Sequence, residues 1–267
     1  MGQVVGFTKT PVADAARAIR EAIDFNLSER AVFTNSDDAL RQLIDRIEAI
    51  GVLVMVNGIV GGDTHRALDP EEFRGFALSD PIAPLIFVNG ADTKAAQIFT
   101  LIHELGHIWL GGSALSDAAM VVRDGVSEEL WCNQVAAEVL VPLAAIRRDY
   151  QGELTPQELT RLARRYRVST LVILKRLFDA RFLGWDEYKE RYEAEREAVT
   201  ELAKRRRGEN SGGNYYNTQP LRLSRQFARA VITSTHQGDT SFRDAFQLLG
   251  TKKHETFVRL ADEIGVG

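Results

Sequence analysis

The chain has 267 residues, of which 45% are hydrophobic and 26% charged, with a formal net charge of −4. Such usage excludes disordered and collagen-like classes and provides for a sizeable core without staples. The acidic balance, with a pI near 5.8, removes whole-protein attraction to nucleic acid as a leading idea, although a local basic patch is compatible with it.

Met1 to Thr10 lacks a charged segment followed by an apolar one, so it does not read as a secretory signal. From Pro11, apolar residues at Val12, Ala15, Ala16, Ile19, Ala22 and Ile23 have the spacing of an amphipathic helix. A second helix is expected from Ser36, with Leu40, Leu43, Ile44 and Ile47 on one face and Gly51 as its stop. Val52–Val56 reads as a buried strand ended by Asn57-Gly58. A turn-rich stretch from Gly61 to Pro70 then precedes strands at 73–78 and 85–88. Helices are expected from Asp92 or Thr93 to Leu110, from Ser127 to Val141, from Pro156 to Arg165 and from Thr170 to Phe178. A charged helix follows from Trp185 to Arg207. Gly208–Gly213 is the best linker in the chain, and the tail reads as three helices parted near Gly238 and Gly250. The longest apolar runs are far shorter than the ~20 residues of a membrane span. The lone Cys132 cannot form an intramolecular disulfide, so a soluble cytoplasmic protein is expected.

His103-Glu104-Leu105-Gly106-His107 is an H-E-x-x-H sequence inside one of those helices. Residues four apart share a helix face, so both imidazoles can point at one metal ion. Zinc suits two imidazoles at ~2.0–2.1 Å and leaves places for a third ligand and a water. Glu104 is placed to reach that water as general base and to pass its proton to the leaving amine. For the third ligand, Glu138 stands among Ala136, Ala137, Val139 and Leu140, where a carboxylate is costly to bury unless something pairs with it. Glu128 and Glu129 are the alternatives, expected instead at a helix start where acidic residues complement the dipole.

Four segments resemble the ImmA/IrrE-type metallopeptidases: Phe73–Asp80, Pro84–Asn89, Phe99–His107 and Cys132–Pro142. A less specific likeness continues through Val168–Tyr188 and Gly212–Tyr216. The resemblance implies an α+β, zincin-like catalytic core with His103, His107 and Glu138 on Zn²⁺ and Glu104 as acid/base. It also implies a protein substrate, a helix-turn-helix repressor or antitoxin encoded nearby, cut to derepress phage, mobile-element or stress genes.

On this basis residues 1–150 are expected to form the core, with its small three-stranded sheet. Residues 151–207 form a helical hairpin and a charged helix, and 208–267 a linker with a three-helix C-terminal region. The hairpin resembles a helix-turn-helix, with Ser169 as a cap, and the segment Arg147–Arg207 holds 16 Lys/Arg against 11 Asp/Glu. That excess falls short of predicting DNA binding, so direct nucleic-acid contact is not expected, nor is a membrane partner. His65, with Arg66 in a loop, and Tyr216, beside Tyr215, are candidate transition-state stabilisers, against the reading that each is solvated loop. Gly75, Phe76 and Ala77 are the candidate edge strand against which an extended substrate pairs. Cys132 reads as a small core residue, and His236 and His254 as surface residues. The rival functions are a regulator with a structural metal site and a partner that sequesters a repressor. Glu104 discriminates, because a structural zinc site has no use for a general base beside its ligand.

Overall fold

The computed structural model describes residues 10–27, 33, 35–60, 63–111, 124–207 and 222–266. Two helices open the chain, α1 (Val12–Ala22) and α2 (Ser36–Ala49), the second capped by Asn35, whose side chain accepts the Asp38 N–H. Strands β1 (Leu53–Asn57), β4 (Gly75–Leu78) and β5 (Leu85–Asn89) form one sheet in the order β1-β5-β4. β5 lies in the middle, parallel to β1 with Leu53 opposite Leu85, and antiparallel to β4 with Gly75 opposite Val88. This is the expected three-stranded sheet. A separate hairpin pairs β2 (Ile59–Val60) with β3 (Asp63–Ala67) in the stretch expected to be turns, so His65 and Arg66 lie on a strand rather than in a loop.

Helix α3 (Lys94–Leu110) begins at Thr93, whose hydroxyl accepts the Ala96 N–H, and ends at Gly111 in the left-handed conformation that glycine adopts without strain. Its buried stripe includes Ile98, Leu101, Ile102 and Leu105, whereas Trp109 is exposed. Helix α4 (Asp124–Leu140) packs across α3 and also against α1. Cys132 packs on Gly106 of α3, where even a methyl group on the glycine would sit 3.3 Å from the Cys132 sulfur. Cys132 is fully buried, as expected, and burial raises its thiol pKa first among the causes, ahead of nearby carboxylates. It is inert packing, not a nucleophile.

Next come α5 (Leu143–Asp149), α6 (Pro156–Tyr166), α7 (Thr170–Asp179) and α8 (Trp185–Arg207). Thr155 and Ser169 cap α6 and α7, the second as expected. The boundary expected at 150 does not separate two cores. A single buried cluster runs from Ala15 through Ile146 to Leu159, Leu174 and Leu183, so α6 and α7 are part of the same body as the sheet. The C-terminal helices α9 (Arg225–Gln237), α10 (Phe242–Leu248) and α11 (His254–Ile264) close on their own core around Ala228, Ile232, Leu249, Phe257 and Leu260. They join the larger body at Glu48, a buried carboxylate that accepts from the Ser224 hydroxyl while its backbone carbonyl accepts from the Gln226 amide. Burial raises the Glu48 pKa, chiefly by desolvation. His236 and His254 are exposed, as expected. Among the described residues no single helix is long and apolar enough to cross a membrane.

Candidate active site

The helix expected for the H-E-x-x-H motif places His103 and His107 one turn apart, with their Nε2 atoms 3.2 Å from each other. From α4, Glu129 brings one carboxylate oxygen to 3.1 Å from His103 Nε2 and the other to 3.2 Å from His107 Nε2. One ligand atom from each of the three lies within 4.8 Å of the others. In a tetrahedral zinc site with bonds of ~2.0–2.1 Å, neighbouring donors are ~3.3 Å apart, which these separations match. The His103 pKa is lowered, by burial first and then by His107, so the imidazole keeps the free lone pair that a metal ligand needs. On the far side of His107, Glu128 comes within 3.2 Å of Nδ1, the contact that fixes a ligating imidazole's tautomer and orientation. Two imidazoles and a carboxylate therefore fit a divalent cation of the zinc type.

Glu138, the expected third ligand, is elsewhere. It follows Glu129 by nine residues, two and a half turns at ~3.6 residues per turn, so it leaves the opposite face of α4 and sits ~13 Å further along. There its carboxylate pairs with the buried Arg176 of α7 and accepts the Leu143 N–H at 3.3 Å. Arg176 also donates to the Val141 carbonyl at 2.7 Å, and Arg20 of α1 donates to the Glu138 carbonyl at 2.8 Å. The inference that this carboxylate needs a partner was sound, but the partner is a guanidinium. Glu129, one of the two alternatives in the sequence, ranked below Glu138 because a helix start was expected at Ser127; α4 starts at Asp124, which carries Glu128 and Glu129 into its second turn. A signal was present: Glu129 stands three residues before Cys132, the side chain small enough to meet Gly106 of the motif, and so shares its face of α4.

Glu104 is buried on α3 between the histidines and the sheet. Burial, and then the charge of Glu129, push its pKa up to about 8, in the range of a proton carrier at neutral pH. Directly above it is β4. A methyl group on Gly75 would lie 3.3 Å from Glu104 Oε1, 2.6 Å from Thr100 Cγ2 and 2.7 Å from the Phe87 carbonyl oxygen, so only glycine allows the strand to come this close. Among the described residues no strand pairs with the other edge of β4. The Asn89 N–H donates to the Arg74 carbonyl (2.7 Å), which makes 74 and 89 a hydrogen-bonded pair. By antiparallel alternation the backbone groups of Gly75 and Ala77 then turn outward, away from β5. Phe76 stacks on Phe87 with ring centroids 5.2 Å apart, and Ala77 is buried. The cleft between β4 and the two helices encloses about 300 Å³ and is lined by both histidines, Glu104, Glu129, Asn133 and Gly75.

Neither candidate transition-state stabiliser has a described side chain. His65 lies on β3, and its side chain is outside what the structure describes; Tyr215 and Tyr216 fall outside the described residues, as does the Gly208–Gly213 linker. Asn133, one turn after Glu129 on the cleft wall, was missed by the sequence analysis because an exposed helical asparagine carries no pattern.

In a sequence comparison no curated protein matches the chain. A family model described as a domain of unknown function (DUF8813) matches residues 223–263, the three C-terminal helices with their own core. A peptidase family model described as an IrrE N-terminal-like domain matches residues 47–178, from the end of α2 to α7. That span holds both histidines, Glu104, Glu129, Glu138, Arg176 and the three-stranded sheet. Residues 47–178 are therefore a metallopeptidase-like domain of the ImmA/IrrE type, on an α+β, zincin-like fold.

Proposed function

We propose that the protein is a zinc-dependent endopeptidase that cuts an extended segment of a protein substrate. The observation that carries this reading is Glu104, a buried carboxylate between three metal-type donors and the open edge of β4. A site built only to hold a metal has no use for such a group.

His103, His107 and Glu129 would hold the ion, and Glu128 orients His107. The bound ion supplies Lewis acidity to a carbonyl oxygen and to a water. Gly75 and Ala77 offer their outward backbone groups to an extended peptide, which positions one peptide bond over Glu104. Glu104 accepts a proton from the attacking water as its oxygen bonds to the carbonyl carbon. It then delivers that proton to the amide nitrogen as the C–N bond breaks. A strand-pairing cleft selects flexible chain over folded surface, which suits a linker or loop of a helix-turn-helix repressor or antitoxin, the substrate class we propose.

Co-expression of the wild type and Glu104→Gln with the repressor-like protein encoded nearest the gene, followed by intact-mass spectrometry, tests this. The expected result is a pair of fragments, only with the wild type, whose masses sum to the substrate plus one water. An intact repressor that copurifies with both forms would replace hydrolysis by sequestration.

A further inference from the structure

A second cavity of about 410 Å³ opens beside the metal cleft and shares Arg74, Phe99 and Asn133 with it. Its walls come from four helices: Phe99 on α3, Ala137 on α4, Leu171 and Val172 on α7, and Tyr188 and Tyr192 on α8. The tyrosines stand in an aromatic ladder, Tyr188 stacked on Phe178 at 4.6 Å and 5.4 Å from Tyr192. At the rim, Lys175 pairs with Asp179 and Arg74 lies 3.8 Å from Asp92, so each cation there already has an acidic partner. Burial pushes the Tyr188 phenol up to about 12, which keeps this wall neutral.

Resting on the peptidase reading, we infer that this cavity is the selectivity subsite, taking a large aliphatic or aromatic side chain of the substrate on the C-terminal side of the bond that is cut. Antiparallel pairing of the peptide with β4, which is part of this inference, sets the direction. Gly75 marks the reacting position, and Arg74 precedes it on the wall that both cavities share. A peptide paired antiparallel to β4 runs from Leu78 toward Gly75, so the residues after the reacting bond pass Arg74 and reach the second cavity. The volume falls in the range of ligand pockets, and a mostly apolar wall with a few polar groups is the usual composition of one. Helices α7 and α8 thereby acquire a role that the helix-turn-helix resemblance did not suggest: they form the outer wall of a substrate pocket.

Two measurements on the zinc-loaded full chain separate this inference from the reading on which it rests. The first is cleavage-site profiling on a mixed peptide library by mass spectrometry. Leu, Met, Phe or Tyr should be favoured over Ala or Gly within the first two positions after the cut, by roughly 10- to 200-fold in kcat/KM. Ala137→Phe, and independently Leu171→Trp at the mouth, should erase that preference. The second is saturation-transfer NMR of Glu104→Gln with N-acetyl-phenylalaninamide and N-acetyl-alaninamide as probes. The phenylalanine probe alone should bind, and either filling variant should abolish it. Cleavage with a flat profile, or with a preference that lies before the cut or survives both filling variants, overturns the subsite while the peptidase reading stands. Absence of all cleavage with selective binding of the phenylalanine probe sinks the peptidase reading and upholds the apolar side-chain site. Neither cleavage nor binding overturns both.

Discussion

The two halves of α4 each carry a carboxylate paired to another helix, Glu129 with its side chain 56% exposed and Glu138 15% exposed, and each is satisfied in a different way. At the cleft end, Glu129 faces two imidazoles across 3.1–3.2 Å, an arrangement that offers lone pairs to a cation. At the other end, Glu138 is locked to Arg176 and to the Leu143 N–H, an arrangement that is already complete. Burial alone therefore does not mark a ligand. The two carboxylates differ in whether their neighbours are donors of protons or donors of electron pairs, and only the second kind leaves room for a metal.

If the anchored end is purely structural, the largest effect on folding should come from Arg176→Met, which leaves the Glu138 carboxylate without its guanidinium. Loss of one partner from a buried pair costs about 3–5 kcal/mol, readable as a lower urea midpoint, while zinc affinity stays as in the wild type. Loss of zinc along with stability would mean that the two ends are not independent. Gly75→Ala probes the cleft end from above. Its methyl group would collide with the Phe87 carbonyl and Thr100, moving β4 off Glu104. Peptidase activity should fall by about 10²-fold, the usual cost of misplacing reacting groups by ~1 Å, with zinc content intact. Full activity in this variant would remove the close approach of β4 from the mechanism. Glu128→Gln should weaken zinc binding by about 10- to 100-fold, as removal of a carboxylate behind a ligating imidazole does. Unchanged affinity would leave the Glu128–His107 contact without a role at the metal.

The smallest effect is a pH dependence confined to the cleft end. Glu104 in the metal-free protein has its pKa raised to about 8 from an ordinary 4.5, so the folded state holds a proton that the unfolded chain releases. Its contribution to stability is therefore complete below about pH 4.5 and is lost as pH rises through 8. The melting temperature of the metal-free wild type should fall between pH 5 and 9 more steeply than that of Glu104→Gln. Parallel curves would contradict the raised pKa.

Much of this arrangement was legible in the sequence because it depends on local rules. Thr93 and Gly111 bracket α3 by capping chemistry, and the H-E-x-x-H spacing fixes both imidazoles on one face. The three-stranded sheet followed from its short apolar runs. What failed depended on partners distant in the chain. Glu138 was chosen because its neighbours are apolar, but its ion-pair partner lies 38 residues away on another helix. The β2–β3 hairpin was missed because Asp63-Thr64-His65-Arg66-Ala67 lacks the alternation of a half-buried strand. That α6 and α7 complete the core begun before residue 150 is a packing relation that no linker composition reveals.

Calorimetric titration of zinc into the metal-free wild type, Glu129→Gln and Glu138→Gln tests the central claim most directly, with near-ultraviolet circular dichroism to confirm native packing. The account predicts one tight site per chain in the wild type, retained in folded Glu138→Gln and lost in Glu129→Gln. Tight binding by Glu129→Gln together with its loss in a natively packed Glu138→Gln would contradict it.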